Sequence, residues 1–431
     1  MRAASREEGT AAALGDPFSG NPKSEARRFR PVKAPRRFVS FVLQAYFTTE
    51  NVMNRIRTNL LLLTALFLTQ APAALASTTW YVNGLTGSDS NTCLVSQAPC
   101  KTIGHAISRS SSGDSIIVAS ATYTENLTIG ISLKILGSGA NTTIIDGGGV
   151  GRVLTISNVN VTLLGVTIRN GVAKGTSSAG GGIFNGGTLL VIASAISGNT
   201  AKISFCFHSQ ICHAAGGGIY NSNSLTIRSS TLVGNSAQGL YPPSPCFIGE
   251  HCLTDGGGIF NSGNMTISNS TLSGNTSFSS SGSGLSHGGG ISNSGTAIIS
   301  NSTLSGNGAG GISNGFTVTL QNSIVANNSP GNCSGTMTSN GYNLSSDNTC
   351  NFNRPGDLNS TDPKLGTLGN YGGPTQTIPL LSGSPAIDAG NPAGCTDGLG
   401  HLLSTDQRGL PRPDNEDKGG CDMGAYESQR D

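Results

Sequence analysis

Charge is what this chain most lacks. Only 11% of its 431 residues are Asp, Glu, Lys or Arg, against about 25% in a typical soluble domain. The formal net charge is +2, so there is no electrostatic footprint for a nucleic acid. Aromatics are also few, at 5% with a single Trp, which argues against a broad stacking platform for sugars or bases. No apolar run is long enough to span a bilayer. Good helix formers are outnumbered by Gly, Ser, Thr and Asn, which excludes a helical bundle. The hydrophobic share of 36%, recurring in strand-like runs, excludes disorder driven by charge.

The two ends differ from the middle. Residues 1–52 carry nine Lys/Arg, including Arg27, Arg28, Arg30, Arg36 and Arg37, and show no apolar period. Met53 then opens a basic stretch with Arg55 and Arg57, an apolar run over residues 60–68, and the small-residue site Ala74-Leu75-Ala76. That order is the order of a secretory signal peptide. We read Met53 as the start and residues 1–52 as an over-extended leader; a long or organellar targeting extension is the alternative. Cleavage near Ala76 then yields a mature chain with 14 Lys/Arg against 18 Asp/Glu, mildly acidic and without a transmembrane anchor.

All ten cysteines lie beyond that cleavage point, in neighbouring pairs: Cys93/Cys100, Cys206/Cys212, Cys246/Cys252, Cys333/Cys350 and Cys395/Cys421. An even number behind a signal peptide points to disulfides in an oxidising compartment. Local pairing is the economical expectation. Cys206 and Cys212 are also one repeat interval from Cys246 and Cys252, so bridges between coils stay open. With His208, His213 and His251 nearby, zinc is a further alternative, although the spacing is not C-x-x-C.

Internal repetition sets the fold. Gly180-Gly181-Gly182-Ile183-Phe184-Asn185 recurs at residues 216–221, 256–261 and 288–293, then in shortened form as Gly310-Gly311-Ile312-Ser313-Asn314. A second motif follows each copy, as in Ile196-Ser197-Gly198-Asn199 and Leu272-Ser273-Gly274-Asn275. Successive intervals are 36, 40, 32 and 21 residues, so the longer ones contain inserts. Each repeat offers short alternating strands between turn formers, and one coil cannot bury its own apolar face. Stacked coils can, and parallel crossovers are right-handed. The expected fold is all-β, a right-handed parallel β-helix, with Asn185, Asn221, Asn261, Asn293 and Asn314 stacked in an amide ladder. Ile103, Ala106 and Ile107 share one helical face and suit a short N-terminal cap helix, with His105 on its surface. The expected organisation is residues 1–52 leader, 53–76 signal peptide, 77–345 β-helix and 346–431 an irregular C-terminal cap domain.

Several motifs carry resemblances. Trp80-Tyr81-Val82-Asn83, Gly87-Ser88-Asp89, residues 101–107, Gly113-Asp114-Ser115-Ile116 and Thr122-Tyr123-Thr124-Glu125 resemble the opening of pectin-lyase-like β-helix proteins. The Gly-Gly-Gly-Ile and x-x-Gly-Asn pairs resemble polymorphic outer-membrane protein repeats. Residues 362–427, with Gly383-Ser384-Pro385-Ala386-Ile387-Asp388-Ala389-Gly390, Thr405-Asp406-Gln407-Arg408-Gly409 and Asp422-Met423-Gly424-Ala425-Tyr426-Glu427, resemble the choice-of-anchor Q domain. Fold does not fix activity. No sorting signal or translocator barrel follows Glu427, so soluble secretion or loose surface retention is expected.

The pectin-lyase-like resemblance implies polyuronate chemistry with clustered carboxylates, often calcium, and a Lys or Arg base. Residues 150–345 hold only two acids, Glu250 and Asp255, with Arg152, Arg169, Lys174, Lys202 and Arg228. Neither a calcium cage nor a facing carboxylate pair is visible there, so no cofactor or metal is expected in the coils. Asp255 and His287 each precede a Gly triplet in consecutive coils, with His213 one coil earlier. They are the candidate acid/base group, against a plain exposed polar cluster. The acids of residues 346–431, Asp388, Asp406, Asp422 and Glu427 among them, read as ion pairs holding the cap together with the Cys395/Cys421 bridge, with a calcium site there as the alternative. The function expected from the sequence is therefore an exported, monomeric, adhesin-like binding protein for glycans or cell-surface proteins. A polysaccharide lyase or glycoside hydrolase is the alternative.

Overall fold

The computed structural model describes residues 77–429 except 205, 207–210, 240–250, 280–284 and 415–419. The leader, the signal peptide, His208, Cys246 and Glu250, together with the side chain of His251, lie outside the described residues. Residues from Ala76 to Asp431 form one compact unit. No helix among the described residues is long and apolar enough to cross a membrane.

The chain winds as a right-handed parallel β-helix. Three long sheets of ten, nine and eight strands run along it, and every ladder between named strands is parallel. The repeated aliphatic positions come into register from coil to coil: Ile183 with Ile219, Ile219 with Ile259, Ile259 with Ile291 and Ile291 with Ile312. Leu163, Val191, Ile227, Ile267 and Ile299 form a second buried column, and Ile168, Ile196, Leu232, Leu272 and Leu304 a third. Each such side chain contributes about 1.5–3 kcal/mol on leaving water.

Neutral amides close the corners. Asn185 donates to Asn221 at 2.7 Å, Asn221 to Asn261 at 2.6 Å, Asn261 to Asn293 at 2.7 Å and Asn293 to Asn314 at 2.9 Å. A second ladder runs through Asn199, Asn235, Asn275, Asn307 and Asn328 with steps of 2.9–3.0 Å; its signal was the Asn of the x-x-Gly-Asn motif. The Gly triplet is required by geometry. Its first member has positive φ in each long coil (64, 66, 62 and 51°), and a Cβ on Gly182 would lie 2.7 Å from the Gly218 carbonyl of the next coil.

The helix Ile103–Arg109 covers the N-terminal end, burying Ile103 and Ala106 with Ile107 packed alongside. Thr102 caps it, and the Glu125 carboxylate accepts from the Ile103 and Gly104 amides at 2.8 and 2.7 Å. At the far end, Cys350 and Phe352 enter the main core. The rest of the C-terminal region does not stay at that end. Residues 369–414 and 420–427 run back along the flank of the nine-stranded sheet, because its outward Thr231, Thr271 and Thr303 are small hydroxyls that admit close approach. The Gln407 side chain bonds Thr231 at 3.0 Å, Thr271 at 2.6 Å and Thr375 at 2.9 Å, and Ala425 N–H donates to Thr303 at 3.0 Å.

Four disulfides join Cys93–Cys100, Cys206–Cys212, Cys333–Cys350 and Cys395–Cys421. Cys252 is also disulfide-bonded. Cys206 is thus bridged within its own insert, although Cys212 stacks in register with Cys252 of the next coil. The bonded sulfurs leave no thiolate there for zinc.

Candidate functional site: a step beneath the lateral fin

The described parts of the inserts are strands. In each long coil the chain leaves the solenoid on one strand and returns on another, and the outgoing and returning strands stack separately. Val172–Gly175, Thr200–Ile203, Ser236–Gly239 and Thr276–Ser279 make one four-stranded layer. Ser177–Ala179, Ile211–Ala215, His251–Asp255 and Leu285–His287 make the other. Between them lies a small separate core of Ala201, Ile203, Cys206, Cys212, Ala214, Ala237 and Cys252. The result is a two-layered fin on one side of the solenoid.

The fin stops where the interval falls to 21 residues. From Asn307 the chain turns directly inward, with Ala309 at φ 67°, and Gly308 retains only a single bridge to Thr276. The apolar filling of the fin gives way to hydroxyls at this last rung: Ser277 donates to the Thr254 carbonyl at 2.6 Å, and the Thr254 and Ser286 hydroxyls lie 2.9 Å apart. Below the rung is a cleft of about 310 Å³, lined by Ser286, His287, Gly288, Gly310, Ser313 and Thr349 among others.

Asp255, His213 and His287 meet on the returning layer, and His287 borders this cleft. Asp255 and His287 are register partners, and His213 reaches Asp255 diagonally along the same face. His213 Nε2 lies 2.8 Å from Asp255 Oδ2 and His287 Nδ1 lies 3.0 Å from Oδ1. Side-chain exposure is 14% for Asp255, 30% for His213 and 44% for His287, so the carboxylate is covered by its partners while the rings reach solvent. With Asp255 ionised both rings donate to it, which leaves His287 Nε2 and His213 Nδ1 with lone pairs. Ser292 adds a 3.4 Å contact to Oδ1.

Sequence reasoning missed the group beside this cluster. Phe184, Tyr220 and Phe260 stack with centroids 5.3 and 5.2 Å apart, Arg152 lies 5.2 Å above Phe184, and His213 meets Phe260 edge-on at 5.6 Å. The signal was the aromatic that follows Ile in the triplet motif. Scarce aromatics are here concentrated in one column. Both faces of Phe184 and Tyr220 are nevertheless occupied by the stack and Arg152, and Phe260 is buried, so a sugar ring finds edges there and not a platform.

Chemically, the cluster can accept and pass a proton through His287. The cleft residues include no carboxylate and no Lys or Arg, so a calcium ion does not fit them. Elsewhere among the described residues, Cys93, Cys100 and His105 converge, but both cysteines are bonded to each other.

The acids and bases of residues 406–427 hold structure. Arg408 pairs with Asp406 at 2.7 Å and Arg412 with Glu427 at 2.6 Å, all buried. Arg412 also donates to Asn269 of the coils at 2.9 Å. Burial and the neighbouring Glu427 carboxylate push Asp422 up to about 7.

Fold and site together define a finned parallel β-helix. No protein-family model and no curated protein matches the chain. Among solved structures it is similar to pectate lyase Pel9A, with a TM-score of 0.46 and 16% identity over 81% of this chain and 97% of that one. A pectin methylesterase mutant in complex with a hexasaccharide gives 0.24 and 13% over 62% and 71%. A GH136 lacto-N-biosidase from Eubacterium ramulus gives 0.24 and 11% over 62% and 64%. These likenesses carry nothing about activity.

Proposed function

We propose that the protein is exported after cleavage near Ala76 and acts by binding, as an adhesin-like monomer whose partners are glycans or cell-surface proteins. The observation that carries this reading is the step cleft. It is a concavity of ligand-binding size, walled by glycine backbone, small hydroxyls and the apolar Ile312 and Pro330 with His287 at its border, without the paired carboxylates of a glycosidase. The disulfides support export, because they persist in oxidising compartments. In this reading the coils are repeats of the polymorphic outer-membrane protein type and residues 346–431 are a choice-of-anchor Q domain.

One observation favours a second reading, catalysis on a polysaccharide. His287 is held by Asp255 at 3.0 Å and borders the cleft, the arrangement of an oriented general base. To decide between them, the protein is incubated with charged and neutral polysaccharides, with and without calcium, and release of unsaturated or reducing ends is followed. The binding reading expects no turnover. Turnover lost in both Asp255→Asn and His287→Ala would replace it with the enzyme reading.

A further inference from the structure

The last rung of the fin has an open edge, and the three rungs above it show what belongs there. In the returning layer each long coil donates from the first Gly of its triplet to the coil below: Gly180 N–H to the Ala215 carbonyl at 2.9 Å, Gly216 to Asp255 at 2.9 Å and Gly256 to His287 at 3.1 Å. The next member of the series, Gly288 N–H, has no hydrogen-bond partner among the described residues and borders the cleft. The same ladder commits the His287 carbonyl upward. Alternate residues of a strand face opposite neighbours, so the N–H and C=O of Ser286 point down, into the cleft. Ser286 and Gly288 are two residues apart, about 6.6–7 Å along a strand, the spacing at which one neighbouring strand bonds another. The cleft occupies the position that a fifth rung would fill had the coil kept its insert.

The geometry points to an extended polypeptide segment of a partner protein as the ligand of this cleft, added as a parallel strand beneath Leu285–His287. This names the ligand class of the binding reading above and rests on it. At every preceding rung the edge groups are satisfied by a parallel strand, and a strand supplies the alternating donors and acceptors that Ser286 and Gly288 lack. The edge is three residues long, a short form that discourages sheet-to-sheet aggregation, and the cleft lies beneath it.

The test is binding of the protein to an array of immobilised random-sequence decapeptides, beside a glycan array. Ser286→Pro removes the downward N–H without removing a backbone bond to the rung above, because proline is tolerated at such outward positions of an edge strand; it also removes the hydroxyl contact to Thr254, for which the next variant controls. Ser286→Ala removes only the hydroxyl. Peptide binding is expected to weaken about tenfold or more in the first variant and to change less than about twofold in the second. Re-synthesising the best peptide with N-methyl groups on alternate amides is expected to abolish binding for one of the two sets only. Equal binding by Ser286→Pro, or equal loss from both methylated sets, overturns the inference. Glycan binding without any peptide binding overturns it while leaving the binding reading standing, and turnover dependent on His287 overturns both.

Discussion

Along the stacked long coils, residues 183–328, the buried polar side chains are neutral amides and hydroxyls in columns, and each Asn of the two ladders bonds the equivalent Asn one coil away. Along the flank they are charges. Arg412 and Glu427 are fully buried 2.6 Å apart, and Asp406, Arg408 and Asp422 are buried beside them. A ladder spreads one small gain over every coil and tolerates a single defect. A buried ion network concentrates its cost and its gain in a few residues that occur once. The difference predicts that the two regions break in different ways.

The largest effect is expected at Arg412. Arg412→Met removes the buried ion pair to Glu427 and the Arg412 bond to Asn269 Oδ1, at a cost of about 3–5 kcal/mol. Denaturant unfolding followed near the C-terminal segment, compared with far-ultraviolet circular dichroism of the coils, checks whether the flank detaches first.

Asp422 comes next. Its carboxyl holds its proton up to about pH 7 in the folded chain, against an ordinary value of 3.8. The folded state therefore binds this proton more tightly than the unfolded state, and the stability linked to it is complete below the unfolded value. It is lost as pH rises toward 7, by up to about 4 kcal/mol. Asp422→Asn is expected to remove that part of the decline in Tm between pH 4 and 7; an unchanged pH profile would contradict the assignment.

In the coils, Asn221→Ala interrupts one ladder between Asn185 and Asn261 and is expected to cost about 2 kcal/mol, without the pH dependence expected at the flank. Smallest of all is Ser286→Ala, expected to leave thermal stability unchanged within about 0.5 kcal/mol, since the lost partner is a hydroxyl at the open end of the fin. A cost there as large as at Asn221 would place Ser286 in the scaffold and not at a free edge.

Repetition made the coils legible. Ile183, Ile219, Ile259 and Ile291 recur with their glycines and asparagines, so periodicity alone placed them in register and placed Asp255 above His287. The flank was not legible in that way, because Gln407, Arg412 and Glu427 occur once and nothing local says that they meet Thr231, Asn269 and Asp422. The fin lay between these cases. Its inserts were visible as long intervals, but Ile203, Ala214 and Ala237 are too few to announce a second core. The step cleft was written in the drop from 32 to 21 residues, a change in spacing whose meaning depends on where the missing strand would have been.

The central claim is that the fin ends in an open strand edge, and amide hydrogen exchange at four equivalent glycines tests it most directly. Gly180, Gly216 and Gly256 are expected to exchange slowly and Gly288 at close to the rate of a solvated amide, with Gly288 becoming protected when a bound peptide fills the cleft. Protection of Gly288 equal to that of Gly256 in the free protein would show that the edge is already closed, and would contradict the account.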